Sequence, residues 1–276
     1  MKFCHIAPVA HLDLVKDRSA HLTLAHLIDE GHQDYIDFYK NEKYELNIMD
    51  NSGFELYKAH LPMFDPEKLV GLAQQVNATH IVLPDHPSHP SMVGIDDAKR
   101  YAPVFKEAGF GTFFVPQSDV LDLEDLITSF AWAASSPLID YIGISILAVP
   151  NAYGCEQNNP LQRFMSRWKF MNELYDRNLL QLASQNGKKI HFLGMVDGPN
   201  EISLMRDFHI DTWDSSAGVW AGLNGIPFDH SPTGLTNGKF EKHVDFTSHF
   251  EDTSIAQSNM RVIDALVDRY NFTEKL

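Results

Sequence analysis

Three acidic residues and one amide each follow a short apolar segment, and their side chains suit chemistry at a sugar carbon. They are Asp50, Asp85, Gln117 and Asp214. One carboxylate can attack an anomeric carbon and form a covalent sugar intermediate, while a second carboxyl group acts as general acid and base. A third carboxylate and an amide can accept hydrogen bonds from the N–H groups of a purine. These residue types therefore indicate nucleophilic chemistry on a glycosidic bond.

Each of these residues also has an ordinary structural interpretation. An Asp that follows a strand often caps the next helix or closes a turn. Phe54, four residues after Asp50, offers an aromatic face for a flat ligand, although its periodicity alone favours core packing. Three acids in separate places, with an amide in a fourth, favour a shared site over three independent caps.

The elements that must position these residues alternate between strands and helices. Segments rich in β-branched and aromatic residues predict strands, and apolar residues spaced three and four apart predict helices. The predicted strands cover residues 2–6, 46–49, 80–83, 112–115, 141–146, 189–194 and 211–213, and the helices cover 20–29, 66–76, 95–108, 123–134, 161–185 and 199–208. We expect an eighth strand within residues 219–246.

This alternation indicates a parallel sheet. The favoured architecture is α/β, a closed (β/α)8 TIM-type barrel in one domain over residues 1–276, with an open doubly wound sheet as the alternative. Residues 217–276 would supply the last strand, loops and a C-terminal helix. Because barrel catalysis takes place at the carboxyl ends of the strands, the ends between residues 46 and 216 would bring one set of side chains together: Asp50, Asp85, Gln117, Ser145 and Asp214.

Charge and cysteine content limit the function classes. The chain has 276 residues, with 22 Lys and Arg against 37 Asp and Glu, and its net charge of -15 disfavours a general nucleic-acid coat protein. Residues 160–190 reverse that sign, and there Arg163, Arg167 and Lys169 are expected to face phosphate. No apolar run is long enough for a bilayer, and two cysteines, Cys4 and Cys155, indicate a reducing cytoplasm rather than disulfides.

Two histidines offer an alternative site. His86 and His89 have the side-chain types of metal ligands, but the prolines around them predict an extended loop that does not place both rings on one face. A metal-dependent barrel hydrolase is therefore a minor alternative. The sequence has no phosphate-binding glycine loop and no nucleophile elbow, and we expect neither a metal nor an organic cofactor.

Six short segments at the predicted strand ends form an ordered set. They are Asp50-Asn51-Ser52-Gly53-Phe54-Glu55, Asp85, Val115-Pro116-Gln117-Ser118, Gly143-Ile144-Ser145-Ile146-Leu147-Ala148-Val149, Phe192-Leu193-Gly194-Met195 and Asp211-Thr212-Trp213-Asp214-Ser215. In this order they resemble the tRNA-guanine transglycosylase superfamily, and in particular its phage-encoded members that exchange guanine in DNA for a 7-deazaguanine. The resemblance covers residues 46–216.

The resemblance implies a role for each position. Asp214 would be the nucleophile, and Asp50 would be the acid and base. The residues that would contact the base are Phe54, Asp85, Gln117, Gly143 and Ser145. The implied partners are double-stranded DNA, with the target guanosine flipped out of the helix, and a free 7-deazaguanine base. No cofactor and no membrane are implied, and the oligomeric state stays open.

Departures from the family pattern concern the polymer and the base. The tRNA enzymes carry a Cys-rich zinc subdomain after the last strand, whereas no Cys follows Cys155 here. This favours the reduced DNA-acting type over a tRNA-acting enzyme. Glu55 stands where the family has Gln, and Ile144 follows Gly143 where the family has a second Gly, so the particular deazapurine stays open. The same residues also fit a barrel glycoside or nucleoside hydrolase, or a non-catalytic relative that binds nucleic acid.

Overall fold

Strands and helices alternate along the chain. The structure, a computed structural model, describes residues 1–156, 159–195, 198–231, 233–234, 241 and 243–273, apart from the side chains of residues 54, 57 and 58. The strands are β1 (Lys2–His5), β2 (Ala20–Leu24), β3 (Leu46–Asp50), β4 (His80–Val82), β5 (Gly111–Phe114), β6 (Tyr141–Ser145), β7 (Lys189–Leu193) and β8 (Thr212–Ser215). The helices are α1 (Ala25–Asp29), α2 (Gln33–Asn41), α3 (Gly53–Lys58), α4 (Pro66–Gln75), α5 (Ser91–Glu107), α6 (Leu123–Ser135), α7 (Ala148–Ala152), α8 (Pro160–Asp176), α9 (Leu179–Gln185), α10 (Glu201–Leu204), α11 (Ala217–Leu223) and α12 (Ser254–Asn271), with a 3-10 helix over Val9–Val15.

All of these strands belong to one parallel sheet. Its order is β1-β8-β7-β6-β5-β4-β3-β2, so β2 to β8 pair in sequence order and β8 returns to β1. β1 and β2, at the two ends of this order, pack side by side. The sheet therefore curls into a nearly closed barrel, which confirms the (β/α)8 fold predicted from the alternation of elements.

Helix starts follow local sequence signals. The Asp65 side chain accepts a hydrogen bond from the backbone N–H of Glu67 (2.8 Å), and Pro66 opens α4. Asn159 caps α8 in the same way and is followed by Pro160. These helices cover the outside of the sheet, and the carboxyl ends of the strands form the mouth of the barrel.

The position of one strand corrects the sequence prediction. Residues 20–29, predicted as one helix, form β2 and then α1 without an intervening turn. The expected strand within residues 219–246 is wrong, because α11 extends to Leu223 and the described residues after it form no strand. Residues 232, 235–240 and 242 of that region lie outside the described residues. The eighth strand of the barrel is therefore β2.

Two helix predictions were too long. The segment 161–185 is divided into α8 and α9, because Asn178 adopts a left-handed conformation (φ 59°) that a helix interior does not tolerate. The segment 199–208 retains only α10. The longest described helix, α12, packs against α11 and β1. No helix in the described ranges is long and apolar enough to cross a membrane.

Candidate active site

A cavity of about 290 Å³ opens at the carboxyl ends of the strands. Every strand contributes a lining residue within one position of its end, and these residues are Ile6, Leu24, Asp50, Val82, Val115, Ser145, Leu193 and Asp214. The volume is at the small end of ligand pockets, which hold roughly 300–1,000 Å³. A cavity of this size suits one flat ring system better than an oligosaccharide.

Five of the seven residues predicted to react with or contact the base meet in this cavity. Asp50, Asp85, Gln117, Ser145 and Asp214 all line it. Glu55, which sequence reasoning noted only as a departure from the family pattern, lines it as well. The described residues that line it include no Lys, Arg or His, so the carboxyl groups have no cation within the described cavity wall. The predicted stacking side chain of Phe54 lies outside the described residues.

Gly143 is not among the described residues that line the cavity. It lies in β6, and a Cβ atom there would lie 2.6 Å from Cε1 of Phe113 and 2.8 Å from Cδ1 of Leu193. Its missing side chain therefore allows these two neighbours to pack closely. The contact of Gly143 with the base stays a prediction.

The turn after β3 sets the position of the Asp50 carboxyl group and leaves room for that of Asp85. Ser52 has a left-handed backbone (φ 58°), and its N–H donates to Asp50 Oδ1 at 2.9 Å. Gly53 donates its N–H to Asn51 Oδ1 at 2.8 Å. A Cβ atom at Gly53 would lie 2.4 Å from Asp85 Oδ1, so only glycine leaves room for that carboxyl group.

Asp85 is held between two side-chain amides. Asn51 Nδ2 donates to Asp85 Oδ1 (3.0 Å), and Gln117 Nε2 donates to Asp85 Oδ2 (3.2 Å). Burial raises the pKa of Asp85 despite these two hydrogen bonds. Gln117 Oε1 is buried, and no donor within the described ranges reaches it. An N–H group of a ligand would satisfy this oxygen.

Asp50 lies in surroundings that disfavour its charged form. Burial raises the pKa of Asp50 well above its usual value, and the charges of Glu55, Asp85 and Asp214 raise it further. The N–H of Ser52 opposes this effect without overcoming it. The protonated form of Asp50 is therefore favoured more than that of an ordinary carboxyl group, which suits it to donate a proton to a leaving group.

Asp214 differs from Asp50 in its contacts, because two hydrogen-bond donors reach one of its carboxylate oxygens. Its Oδ1 accepts from His191 Nε2 at 2.9 Å and from the Gly194 N–H at 3.2 Å. His191 Nδ1 lies 2.6 Å from Thr212 Oγ1, so when Asp214 is ionised the ring carries its proton on Nε2 and accepts from the hydroxyl group. These two contacts hold one carboxylate oxygen in place, as the positioning of a nucleophile requires.

Sequence reasoning missed His191 and Phe246. His191 is fully buried in the middle of β7, in register with Gly143 of β6. Its position two residues before the strand end was the available signal, because alternate residues of a barrel strand point inward. Phe246 lines the cavity and packs against His26 and Trp220, with ring centroids 5.4 and 5.1 Å apart. No local pattern marked it.

Ser145 has a structural contact in addition to its place at the cavity. Its Oγ accepts hydrogen bonds from the N–H groups of Leu147 (3.0 Å) and Ala148 (3.1 Å). This bonding turns the chain from β6 into α7. The hydroxyl hydrogen stays available to donate to a ligand.

The three basic residues of α8 do not behave alike. Arg167 is fully buried and pairs with Glu201, with Nε to Oε1 at 2.7 Å, so the expectation that it faces phosphate is wrong. Lys169 is exposed, and Arg163 is half-buried. Only these two can reach an external phosphate.

The alternative metal site is not formed by the two histidines of the loop after β4. His86 Nε2 lies 2.7 Å from Asp97 Oδ2, and His89 Nδ1 lies 2.9 Å from the Pro87 carbonyl oxygen. Among the described residues, no group of three or more His, Cys, Asp or Glu side chains is arranged to hold a metal ion.

Comparison with known proteins adds no relative to this description. No protein-family model matches the chain, and no curated protein matches it.

Proposed function

We propose that this protein is a glycosyltransferase that exchanges guanine in DNA for a 7-deazaguanine through a covalent glycosyl-aspartate. The observation that carries the proposal is the contrast between two carboxyl groups in one cavity. Burial and neighbouring charges raise the pKa of Asp50, whereas two hydrogen-bond donors hold the carboxylate of Asp214. A proton donor and a nucleophile that line one small cavity are what base displacement needs.

The first half of the reaction breaks the glycosidic bond. Asp214 Oδ attacks C1′ of the flipped-out nucleotide, and the C1′–N9 bond breaks as the C1′–O bond forms. Asp50 delivers its proton to the departing guanine, so the leaving base is neutral. The products are free guanine, a glycosyl ester on Asp214 and an ionised Asp50.

The second half uses the same residues in reverse. The incoming base binds where guanine left, and Asp50 removes the proton from its glycosidic nitrogen as that nitrogen attacks C1′. The ester bond to Asp214 breaks and restores its carboxylate. Asp50 is again protonated, so the cycle needs no redox cofactor and no net proton.

Recognition of the base would fall to the ends of β4 and β5. Asp85 and Gln117 both carry acceptor oxygens, and Gln117 Oε1 has no donor within the described part of the chain. The N–H groups on the pyrimidine edge of a guanine or 7-deazaguanine match these acceptors. Phe246 supplies an aromatic face among the residues that line the cavity.

Double-stranded DNA is the proposed polymer on two grounds. The motif resemblance is to DNA-acting members of the family. Arg163 and the exposed Lys169 lie on α8, which begins on the mouth side of the barrel after β6. Phosphate contacts there would hold a duplex while the target nucleotide enters the cavity.

A base-exchange assay tests this proposal. Radiolabelled guanine is offered with duplex DNA, with tRNA and with free guanosine, each to the wild type and to Asp214→Asn. Label that enters DNA only, and only with the wild type, supports the proposal. Label that enters tRNA instead would show that tRNA, and not DNA, is the substrate polymer. A complete absence of label from all three acceptors would contradict base exchange.

Hydrolysis is the second candidate, because a carboxylate nucleophile paired with a protonated carboxyl group also fits a retaining glycosidase. The two activities differ in the acceptor. A hydrolase would release free base from a nucleoside or glycoside, and added guanine would not reverse the reaction. Release of unlabelled base without entry of label into the polymer therefore marks hydrolysis, whereas exchange releases one base for each labelled base that enters.

A further inference from the structure

Arg167 is the largest buried charged side chain near the cavity, and all five of its N–H donors have a protein acceptor. Two of them bind Glu201, with Nε to Oε1 at 2.7 Å and Nη2 to Oε2 at 2.8 Å. The other three reach backbone carbonyl oxygens, of Ile144 (3.0 Å), Leu193 (2.8 Å) and Gly194 (2.8 Å). The guanidinium group thus joins the carboxyl ends of β6 and β7 to α10.

The surroundings of Arg167 hold it in one orientation. Its guanidinium carbon lies 4.7 Å from the centre of the Phe192 ring and 5.3 Å from that of Trp213. Trp213 Nε1 donates to the same Gly194 carbonyl oxygen, at 2.8 Å. Two donors from different elements therefore hold the Gly194 carbonyl group, and Arg167 Nη1 holds the Leu193 carbonyl group, which shares a peptide unit with the Gly194 N–H.

Gly194 connects this network to the reacting carboxylate. Its N–H donates to Asp214 Oδ1. Its backbone is left-handed (φ 65°), a conformation that favours glycine, and a glycine has no side chain that could anchor this segment. We infer that Arg167, with Glu201, is a positioning residue that holds the Gly194 N–H on Asp214. It acts through the backbone and does not touch the substrate.

A buried ion pair gives little net stability by itself, because desolvation cancels most of its attraction. An apolar pair of similar volume would preserve the packing at this position. It would not hold three carbonyl oxygens in place, because only the planar guanidinium group presents donors in several directions at once. The value of Arg167 therefore lies in geometry rather than in the free energy of unfolding.

The test compares variants that remove this geometry with variants that do not. Arg167→Met with Glu201→Leu removes both charges and so leaves no buried charge unpaired. Arg167→Lys keeps one charge but cannot reach all the acceptors. Arg18→Met is the matched control, because it breaks another bidentate pair, with Asp264, that does not line the cavity.

Two readouts are measured on each folded variant. The first is the kcat and the KM for free base in the exchange assay. The second is the amide proton resonance of Gly194 in protein labelled at glycine, with Asp214→Asn as the reference for a lost acceptor. We expect kcat to fall roughly 100-fold in the double variant, as for a small misplacement of a reacting group, with KM for the base little changed. Arg167→Lys should lie between the double variant and the wild type.

The Gly194 resonance should move in the double variant and in Asp214→Asn, and stay unchanged in Arg18→Met. A folded double variant that keeps both its kcat and its Gly194 resonance would overturn the inference. The inference rests on the proposed function only through the role of Asp214. A wild type without exchange activity would defeat the proposed function, while the Gly194 resonance would still decide whether Arg167 positions that peptide.

Discussion

The two ends of the barrel each hold a cavity, and their charged residues are arranged in opposite ways. At the carboxyl end, a cavity of about 290 Å³ collects Asp50, Asp85 and Asp214 without a Lys, Arg or His among its described lining residues. At the amino end, a larger cleft of about 690 Å³ lies beside the start of β7. There Asp211 pairs with Lys189 at 3.0 Å and accepts the N–H of Ile190 at 2.9 Å.

The same contrast is found in the pKa values. Burial alone would raise the pKa of Asp140, at the amino end of β6, but hydrogen bonds from Lys106 and the Thr112 N–H hold it below its usual value. Asp50 and Asp85 have no such cation among the described lining residues, and burial raises the pKa of each. The acidic groups at the amino end are thus paired with cations, whereas those that line the mouth have the raised pKa values that the proposed chemistry would use. Cavity size alone would favour the amino end, whereas the distribution of charge favours the carboxyl end.

The largest effect is expected from Asp50→Asn. Without a proton donor for the leaving base, the rate of exchange should fall about 10²- to 10⁴-fold. The wild-type rate should decline as pH rises through the raised pKa of Asp50, and this alkaline limb should disappear in the variant. Asp176→Asn, at the amino-end cleft, serves as the control and should leave the pH profile unchanged. Equal losses of exchange rate in Asp50→Asn and Asp176→Asn would contradict the contrast between the two ends of the barrel.

Two variants of His191 separate its hydrogen bond to Asp214 from its packing inside the barrel. His191→Leu removes the Nε2 donor and should lower kcat about 10- to 100-fold, by analogy with other partners that orient a reacting group. His191→Gln keeps an N–H donor and should retain most of the activity. Single-turnover kinetics on both variants measure this difference. Equal activity in the two variants would assign His191 to packing alone.

Glu55 should tune the pH profile with a smaller effect on the maximal rate. Its charge raises the pKa of Asp50, so Glu55→Gln should move the alkaline limb to lower pH. Glu67→Gln, an exposed acid at the start of α4, should leave the limb where it is. A limb that does not move in Glu55→Gln would show that some other group titrates there.

The smallest effects concern stability, and they should have opposite signs at the two ends. A carboxyl group with a raised pKa destabilises the fold increasingly as pH rises from its unfolded value through its folded value. Asp85→Asn should therefore stabilise the protein by about 1 kcal/mol at pH 8, and Gln117 can rotate its free Oε1 to accept from the new amide. At pH 4 the gain should be lost.

Asp140→Asn is the counterpart at the amino end. Its lowered pKa contributes stability above the unfolded pKa, and that contribution is lost as pH falls through the folded value. The variant should be destabilised by about 1 kcal/mol or less at pH 8, because the pair with Lys106 is partly exposed, and less so at pH 4. Urea unfolding at the two pH values measures both variants. Shifts of the same sign would contradict the comparison.

The fold was largely predictable, because strand and helix periodicities alternate over most of the chain. The exception was β2, where alternate apolar residues at positions 20, 22 and 24 run directly into the helical spacing of α1. With no glycine, proline or turn between them, the two periods merge into one apparent helix. Residues 20–24 form a strand because they lie between β1 and β3, and a local sequence pattern does not show these neighbours.

The site residues at strand ends could be predicted from the sequence. Residues whose position depends on a partner far away in the chain could not. Asp50, Asp85, Gln117, Ser145 and Asp214 follow from parallel topology alone. Arg167 was misassigned because its burial depends on Glu201, 34 residues away, with no local sign in α8. Phe246 reaches the cavity from a long connection after α11. These contacts are set by tertiary structure rather than by spacing.

The most direct test of the central claim is to locate the covalent intermediate. The wild type is incubated with duplex DNA without added base, quenched in denaturant and digested, and its peptides are analysed by mass spectrometry. The account predicts a deoxyribose-linked adduct on Asp214, absent from Asp214→Asn and removed by adding free guanine before the quench. An adduct on Asp50, or exchange that proceeds in Asp214→Asn, would contradict it.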